Sequence, residues 1–273
     1  MKVWFPPCVI QNCELHVLSS CRPTATNLSW KTKSRGSKAF MQKPPFVVKV
    51  DLKLDCPCGQ AKRAEKLLES GYVSITQTAP PRIVAAVIDC RQSFQPLHDE
   101  IKKRHKGNFL REAKKASHKY SVATFKPSDL ADRIEEINKS RPVRCGGPMR
   151  SAYDRSADEL RFDYRNEPRC DCRDHWSVWW GVFTSDDTNG LVGYINLKRY
   201  GELSFYALIL GHGDRMGDGI MPFLHLEIMQ NSLLIGDNGI KLLMYAGWND
   251  GIGKGLNLWK RKAGFSPAWL FNK

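Results

Sequence analysis

The stretch that most constrains this chain lies between residues 176 and 246. Residues 176–183, 191–197 and 203–210 each read as a strand. The first two are joined by Asp186-Asp-Thr-Asn-Gly190, and Gly201 opens the turn before the third; both are turn chemistry. The chain then enters Gly211-His-Gly-Asp-Arg-Met-Gly-Asp-Gly219, with four glycines in nine residues. Helical spacing follows at Phe223, Leu224, Leu226, Ile228 and Leu233. Pro222 fits only the first turn of that helix, which places its start at Ile220 or Met221. Residues 240–246 are a further apolar strand. Tight turns make neighbouring strands antiparallel, whereas a crossing helix makes them parallel. Three antiparallel strands and a fourth parallel to the third therefore imply a mixed sheet.

The flanking segments extend this order. Residues 120–125 read as a strand and 127–138 as a helix, capped by Ser128 and burying Leu130, Ile134 and Ile137. A short helix is expected at 151–159, a polar loop at 163–174, a last helix at 254–263 ending at Gly264, and one short strand within 267–270. Upstream, residues 46–54 alternate as a half-buried strand, 59–70 are helix formers stopped by Gly71, and 82–90 are a continuous apolar run. Residues 1–45 hold Pro6, Pro7, Pro23, Pro44 and Pro45 and show no period, so a poorly ordered leader is expected. The organisation read here is a leader at 1–45, a smaller basic α/β region at 46–119 and an α+β domain at 120–273. At 273 residues the chain is long enough for a sizeable core. No apolar run reaches the roughly 18 residues of a membrane span, and no membrane partner is expected.

Charge separates the two halves. Residues 1–150 carry 28 of the 42 Lys and Arg and 13 of the 28 acids; the remainder is nearly neutral. The densest patch is 101–119, with eight basic residues and one acid, and the spacing of Phe109, Leu110, Ala113 and Ala116 or Ser117 predicts a basic helix. Lys102, Lys103, Arg104, Lys106, Arg111, Lys114, Lys115 and Lys119 are its candidate contacts to a polyanion, DNA or tRNA. Such binding would be steeply salt-dependent. A solvated face is the competing reading.

Nine cysteines at irregular spacing and an N-terminus without a secretory pattern point to a reducing cytoplasm and free thiols. Cys56-Pro-Cys58 and Cys170-Asp-Cys172 suggest a four-thiolate zinc site, but zinc pairs more often have two to four residues between the cysteines. The expectation is no metal.

From Tyr120 the order of elements resembles the GNAT (Gcn5-related N-acetyltransferase) superfamily, including its Fem-like aminoacyltransferase branch. Asp214-Arg-Met-Gly217-Asp-Gly219 is similar to the family's Gln/Arg-x-x-Gly-x-Gly/Ala loop. Asn249 and Leu258-Trp259-Lys-Arg-Lys-Ala-Gly264-Phe265 are similar to its closing Asn, Leu-Tyr and Gly-Phe. The resemblance implies a mixed central sheet with helices on both faces, acetyl-CoA as donor and an amine as acceptor. It also implies a coenzyme-binding set of Leu210, Gly211, Arg215, Met216, Gly217, Asp218, Gly219, Ile220, Asn249 and Trp259. Glycines expose consecutive N–H groups and a helix N-terminus adds a positive dipole end, which suits a pyrophosphate. Gly217→Val or Gly219→Val is then expected to abolish turnover and spare the fold. Asp214 stands where the family has Gln or Arg, and Trp259 where it has a proton-donating Tyr.

Acyl transfer to an amine needs a proton acceptor, an N–H for the carbonyl oxygen and an acid for the leaving group. A bulge in the third strand is one source of that N–H. The candidates for proton transfer are His212, Tyr206, Glu202 and Tyr245. His212 comes first because its ordinary pKa lies near neutrality. Two alternatives stay open: a Fem-like transferase using aminoacyl-tRNA, and a catalytically degenerate nucleic-acid-binding module.

Overall fold

The computed structural model describes residues 8–9 and 46–273, apart from 59, 77–78, 145–146, 166–168, 171, 186–189, 235–237 and 249–253. The expected leader, except for residues 8–9, and most of the 186–190 turn lie outside the described residues. In chain order the strands are β1 (Cys8–Val9), β2 (Phe46–Val50), β3 (Val73–Ser74), β4 (Ala85–Asp89), β5 (Tyr120–Phe125), β6 (Val143–Arg144) and β7 (Gly147–Pro148). They continue as β8 (Arg169–Cys170), β9 (His175–Thr184), β10 (Leu191–Tyr200), β11 (Leu203–Gly211), β12 (Leu242–Gly247) and β13 (Ser266–Asn272). The helices are α1 (Ala61–Glu69), α2 (Phe94–Lys103), α3 (Asn108–Ser117), α4 (Ala131–Lys139), α5 (Ala157–Arg165), α6 (Ile220–Ile228) and α7 (Lys254–Lys262).

Nine strands form one mixed sheet in the order β2-β13-β4-β12-β11-β10-β9-β5, with β3 also paired to β13. The antiparallel succession β9-β10-β11 and the parallel return of β12 beside β11 are both present, and α6 makes the crossing. Residues 46–119 contribute β2, β3 and β4 to this same sheet, with β4 lying between β12 and β13. Among the described residues no helix is long and apolar enough to cross a membrane.

Three local expectations change. The basic stretch 101–119 is two helices rather than one: α2 ends at Lys103, and His105, Lys106 and Gly107 take positive φ. The break lets Leu97 and Ile101 of α2 and Phe109, Ala113 and Ala116 of α3 enter the same core. The helix expected at 151–159 is instead α5, shifted to Ala157–Arg165. A capping box explains the shift. The Glu159 amide donates to Ser156 Oγ at 3.2 Å, and the Ser156 amide donates to the Glu159 carboxylate at 2.7 Å. Ser128 does not cap α4; its hydroxyl bonds Asp129, and the helix begins three residues later.

Helices cover both faces of the sheet. On one, α2, α3 and α6 pack with Tyr206, Ile209 and Phe265 into the largest core. On the other, α1 covers Phe205, Leu242 and Met244, while α4 and α5 cover Trp179, Tyr194, Leu208 and Leu210. The cover on this second face is therefore in two parts, and β11 runs beneath both.

Candidate functional site

The division of that cover coincides with an irregularity in β11. Asn196 of β10 pairs with Leu208, but Leu197 pairs with Tyr206, so Ala207 is an extra residue on β11. The side chains agree: Tyr206 enters the α3/α6 core, whereas Ala207 packs against the α1 cluster and Leu208 enters the α4/α5 cluster. Two successive residues on one face are the mark of a β-bulge. On the other side, β11 and β12 pair only from Leu203–Leu242 to Phe205–Met244. Beyond that point the two strands share no register. Ala207 thus has a ladder partner on neither side, and it is half-buried. The third strand of the succession is thus bulged, at Ala207.

The glycine loop follows β11 as a 3-10 turn over Gly213–Asp218. Much of it is held from within the protein. The Gly213 amide donates to Ser140 Oγ at 2.8 Å, and its carbonyl accepts from Arg141 at 2.7 Å. Asp218 accepts the Tyr120 hydroxyl at 2.7 Å, and this bond holds its carboxyl below the usual range. Leu210, Gly211, Gly219 and Ile220 are buried, whereas Arg215, Met216 and Gly217 are exposed. Two of the glycines differ in kind. Gly219 has φ +83°, and a Cβ there would run into the Glu112 carbonyl of α3; at Gly217 a Cβ would meet nothing within 4 Å. Gly219 therefore serves the fold, which corrects the expectation that Gly219→Val spares it. A cleft of about 120 Å³ adjoins the loop, lined among others by Ile137, Ser140, Arg141, Leu210 and Met216. Its size suits a small group rather than a whole coenzyme.

The four candidates for proton transfer are not brought together. Glu202 precedes β11 and His212 follows it, nearly the full strand apart. Burial works to raise the Glu202 carboxyl, but Lys241, Lys273 and the Asp51 amide outweigh it and hold it low. His212 Nδ1 accepts the Asp214 amide at 3.3 Å, so its neutral ring carries the proton on Nε2 and presents a donor. Tyr206 is buried at 4% exposure and bonds His225 Nδ1 at 2.8 Å; complete burial pushes its phenol well above the ordinary value. The His225 Nε2–H donates to the Ala263 carbonyl at 3.0 Å, and burial pulls this histidine down to about 4.

Tyr245 stands apart from these three. It is half-buried on β12, its ring 5.9 Å from that of Tyr206 across the splayed strands. Lys260, only 1% exposed, places its ammonium 5.0 Å over the Tyr245 ring and donates to the Gly247 carbonyl at 2.6 Å. Trp259 packs edge-on against Phe109, His225 and Tyr245, which makes it part of the wall behind the splay. Asn249 lies outside the described residues. Ala207 and Lys260 were not singled out from sequence. An alanine within an apolar strand carries no signal of a bulge, and Lys260 sits in a basic string whose members look alike.

The basic residues divide as well. Lys102, Lys103, Lys106, Lys114, Lys115 and Lys119 are exposed along α2, α3 and their junctions. Arg104 is turned inward, donating to the carbonyls of Arg261 and Phe265 at 2.9 and 3.1 Å. Arg111 is exposed but caps the Lys106 carbonyl at 2.8 Å. A separate group of potential metal ligands, Cys56, Cys58, Cys172 and His175, gathers at the other end of the sheet.

No family model and no curated protein matches this sequence. Among solved structures, it is similar to a tandem GNAT protein from the clavulanic acid biosynthesis pathway. The identity is 18%, over 70% of this chain and 53% of that one, with a TM-score of 0.40. It is also similar to FemX, at 10% identity over 77% and 66% of the two chains and a TM-score of 0.48. A GCN5-related N-acetyltransferase from Kribbella flavida is similar at 10% identity over 76% and 60%, with a TM-score of 0.33. The chain spans between half and two thirds of the length of these three structures.

Proposed function

We propose that this protein is a GNAT-like N-acyltransferase that moves an acyl group from acyl-CoA to an amine. The observation that carries the reading is Ala207: a bulged residue with a ladder partner on neither side, where β11 and β12 part. Its N–H is the donor for the acyl oxygen, whose negative charge grows as the amine adds to the carbonyl carbon. The carbon–sulfur bond then breaks and the leaving thiolate takes a proton. Tyr245 supplies it, with the Lys260 ammonium against its ring steadying the phenolate, which then recovers through water the proton that the added nitrogen sheds. The loop from Arg215 to Gly219 borders the donor's phosphates, and Gly217 is the position at which they can approach the backbone closely.

The experiment is titration of acetyl-CoA into the purified protein by calorimetry, followed by turnover with a panel of amines. Tyr245→Phe is expected to keep acetyl-CoA affinity and lose turnover. Absence of saturable binding by acetyl-CoA or longer acyl-CoAs would sink the reading.

A second reading rests on the six exposed lysines of the α2–α3 surface. It is that the donor or acceptor is carried on nucleic acid, as with an aminoacyl-tRNA donor or a modified base bearing an amine. Titration of tRNA and duplex DNA at two salt concentrations tests it. A salt-independent interaction would exclude it.

A further inference from the structure

Cys56 and Cys58 lie on the loop that follows β2, Cys172 lies just ahead of β9, and His175 opens β9 opposite Tyr200 of β10. Sequence separations above one hundred residues are closed here into one cluster. Cys56 Sγ is 3.5 Å from Cys172 Sγ, Cys58 Sγ is 3.2 Å from His175 Nδ1, and Cys172 Sγ is 3.7 Å from the same nitrogen. All four ligand atoms lie within 4.8 Å of one another. A tetrahedral zinc ion, with bonds of about 2.3 Å to sulfur and about 2.0 Å to nitrogen, sets its ligand atoms roughly 3.5–3.8 Å apart. The observed spacings surround that value. They also exceed the S–S bond of about 2.05 Å that a Cys56–Cys172 disulfide would need.

The histidine supplies an independent observation. His175 is fully buried, and its Nε2 lies 3.0 Å from the Leu52 carbonyl. A carbonyl only accepts, so Nε2 carries the proton and the Nδ1 lone pair faces the three sulfurs. Metal-bound histidines are oriented in this way by a partner on the other ring nitrogen. Nearby, the buried guanidinium of Arg199 bonds the Gly201 carbonyl at 2.8 Å and Asp174 at 3.3 Å. It ties the segment that carries Cys172 and His175 to the turn at Gly201.

We propose that Cys56, Cys58, Cys172 and His175 bind one structural zinc ion, a site with four protein ligands and no open position. Three thiolates and an imidazole in tetrahedral spacing select zinc among the divalent metals of a cell. The ion ties the loop after β2 to the start of β9, six strands away in the sheet order. That loop is already laced along the sheet end: the Asp51 amide donates to Glu202, the Glu202 amide to the Asp51 carbonyl, and the Leu52 amide to Asn272. The zinc would close this lacing.

The test is metal analysis of the full chain, purified without chelator, together with cobalt replacement. One zinc per chain is expected. The cobalt-loaded protein should show the thiolate charge-transfer and tetrahedral visible bands. Cys58→Ser and Cys172→Ser should each lose the stoichiometric metal, and Cys170→Ser should keep it. His175→Cys should still bind one metal, with the cobalt spectrum shifted to that of four thiolates, so a destabilised His175→Ala would not leave the matter open. Less than a tenth of an equivalent of metal, with no cobalt bands from the reduced, folded protein, would overturn the proposal. So would loss of metal in Cys170→Ser with retention in Cys172→Ser, or a Cys56–Cys172 disulfide found by mass spectrometry. None of these readouts depends on acyl transfer.

Discussion

At its Leu203 end, β11 is paired on both sides, to β10 and β12, and the turn before it is held by Glu202, Asp51, Lys241 and Lys273. From Ala207 onward the same strand keeps β10 but loses β12, gains an extra residue, and runs into a loop whose middle is exposed. One end is tied by polar groups and lies by the Cys/His cluster; the other leads into the exposed residues 214–217. Two ends of one strand therefore divide the work. Polar contacts anchor the first end, and the bulge at Ala207 and the loss of register with β12 mark the second, where the proposed function places the N–H that meets the acyl oxygen. A preorganised donor is worth most when the surrounding structure cannot relax away from it.

The largest expected effect breaks the open end directly. Ala207→Pro removes the bulge N–H at a position where proline is tolerated, and turnover should fall by about 10²–10³, or roughly 3–4 kcal/mol on the barrier. The melting temperature is the control, and unchanged turnover in a folded variant would remove Ala207 from the site.

Next, the two loop glycines should separate. Gly219→Val forces a branched residue into φ +83° and into the Glu112 carbonyl, so a stability loss above about 2 kcal/mol is expected in denaturant melts. Gly217→Val has open space and should stay within about 0.5 kcal/mol of the parent while weakening acyl-CoA binding. Equal stability losses would show that the loop is a turn throughout.

The buried Tyr206–His225 pair gives a pH prediction. Because burial lowers the folded-state value of His225 to about 4 from an ordinary 6.5, the unfolded chain takes up a proton that the folded one refuses. Its contribution is fully present above pH 6.5 and is lost as pH falls toward 4, on the order of 3 kcal/mol across that window. Denaturant melts between pH 7 and 4 should show this slope, and His225→Gln should flatten it. An unchanged slope would mean that another group carries it.

The smallest effect sharpens the second reading. If the α2–α3 surface meets nucleic acid, Lys114→Ala with Lys115→Ala should lower the log–log salt slope of binding by about 1.8 and leave acyl-CoA affinity alone. No change in slope would show that these two lysines are solvated.

Much of the fold was legible in the sequence because its signals are local. The strand at Tyr120–Phe125, the three-strand succession and the Pro222-marked start of α6 follow from alternation, turn residues and proline geometry. The misplaced boundaries have local causes too. Ser156 and Glu159 form a capping box that shifts α5, and Gly107 lets the basic stretch break in two. Sites were less legible. Glu202, Tyr206 and His212 are close in sequence, yet β11 carries the first and last to opposite ends and Tyr206 into the core, while Tyr245 comes from β12. Cys170 looked like the partner of Cys172, but the imidazole among the thiols belongs to His175, which falls between the polar loop read at 163–174 and the strand read from 176.

The sequence by itself determined the order of the longer strands and helices from Tyr120 onward, the mixed character of the central sheet and the uneven charge, since each depends on residues close together in the chain. Only the tertiary structure decided that β4 lies between β12 and β13, that Ala207 is the bulged residue, and that Cys56, Cys58, Cys172 and His175 meet. These depend on register between distant segments. A one-residue slip in register turns a strand's side chains to the other face and moves every such meeting, and no local pattern encodes it.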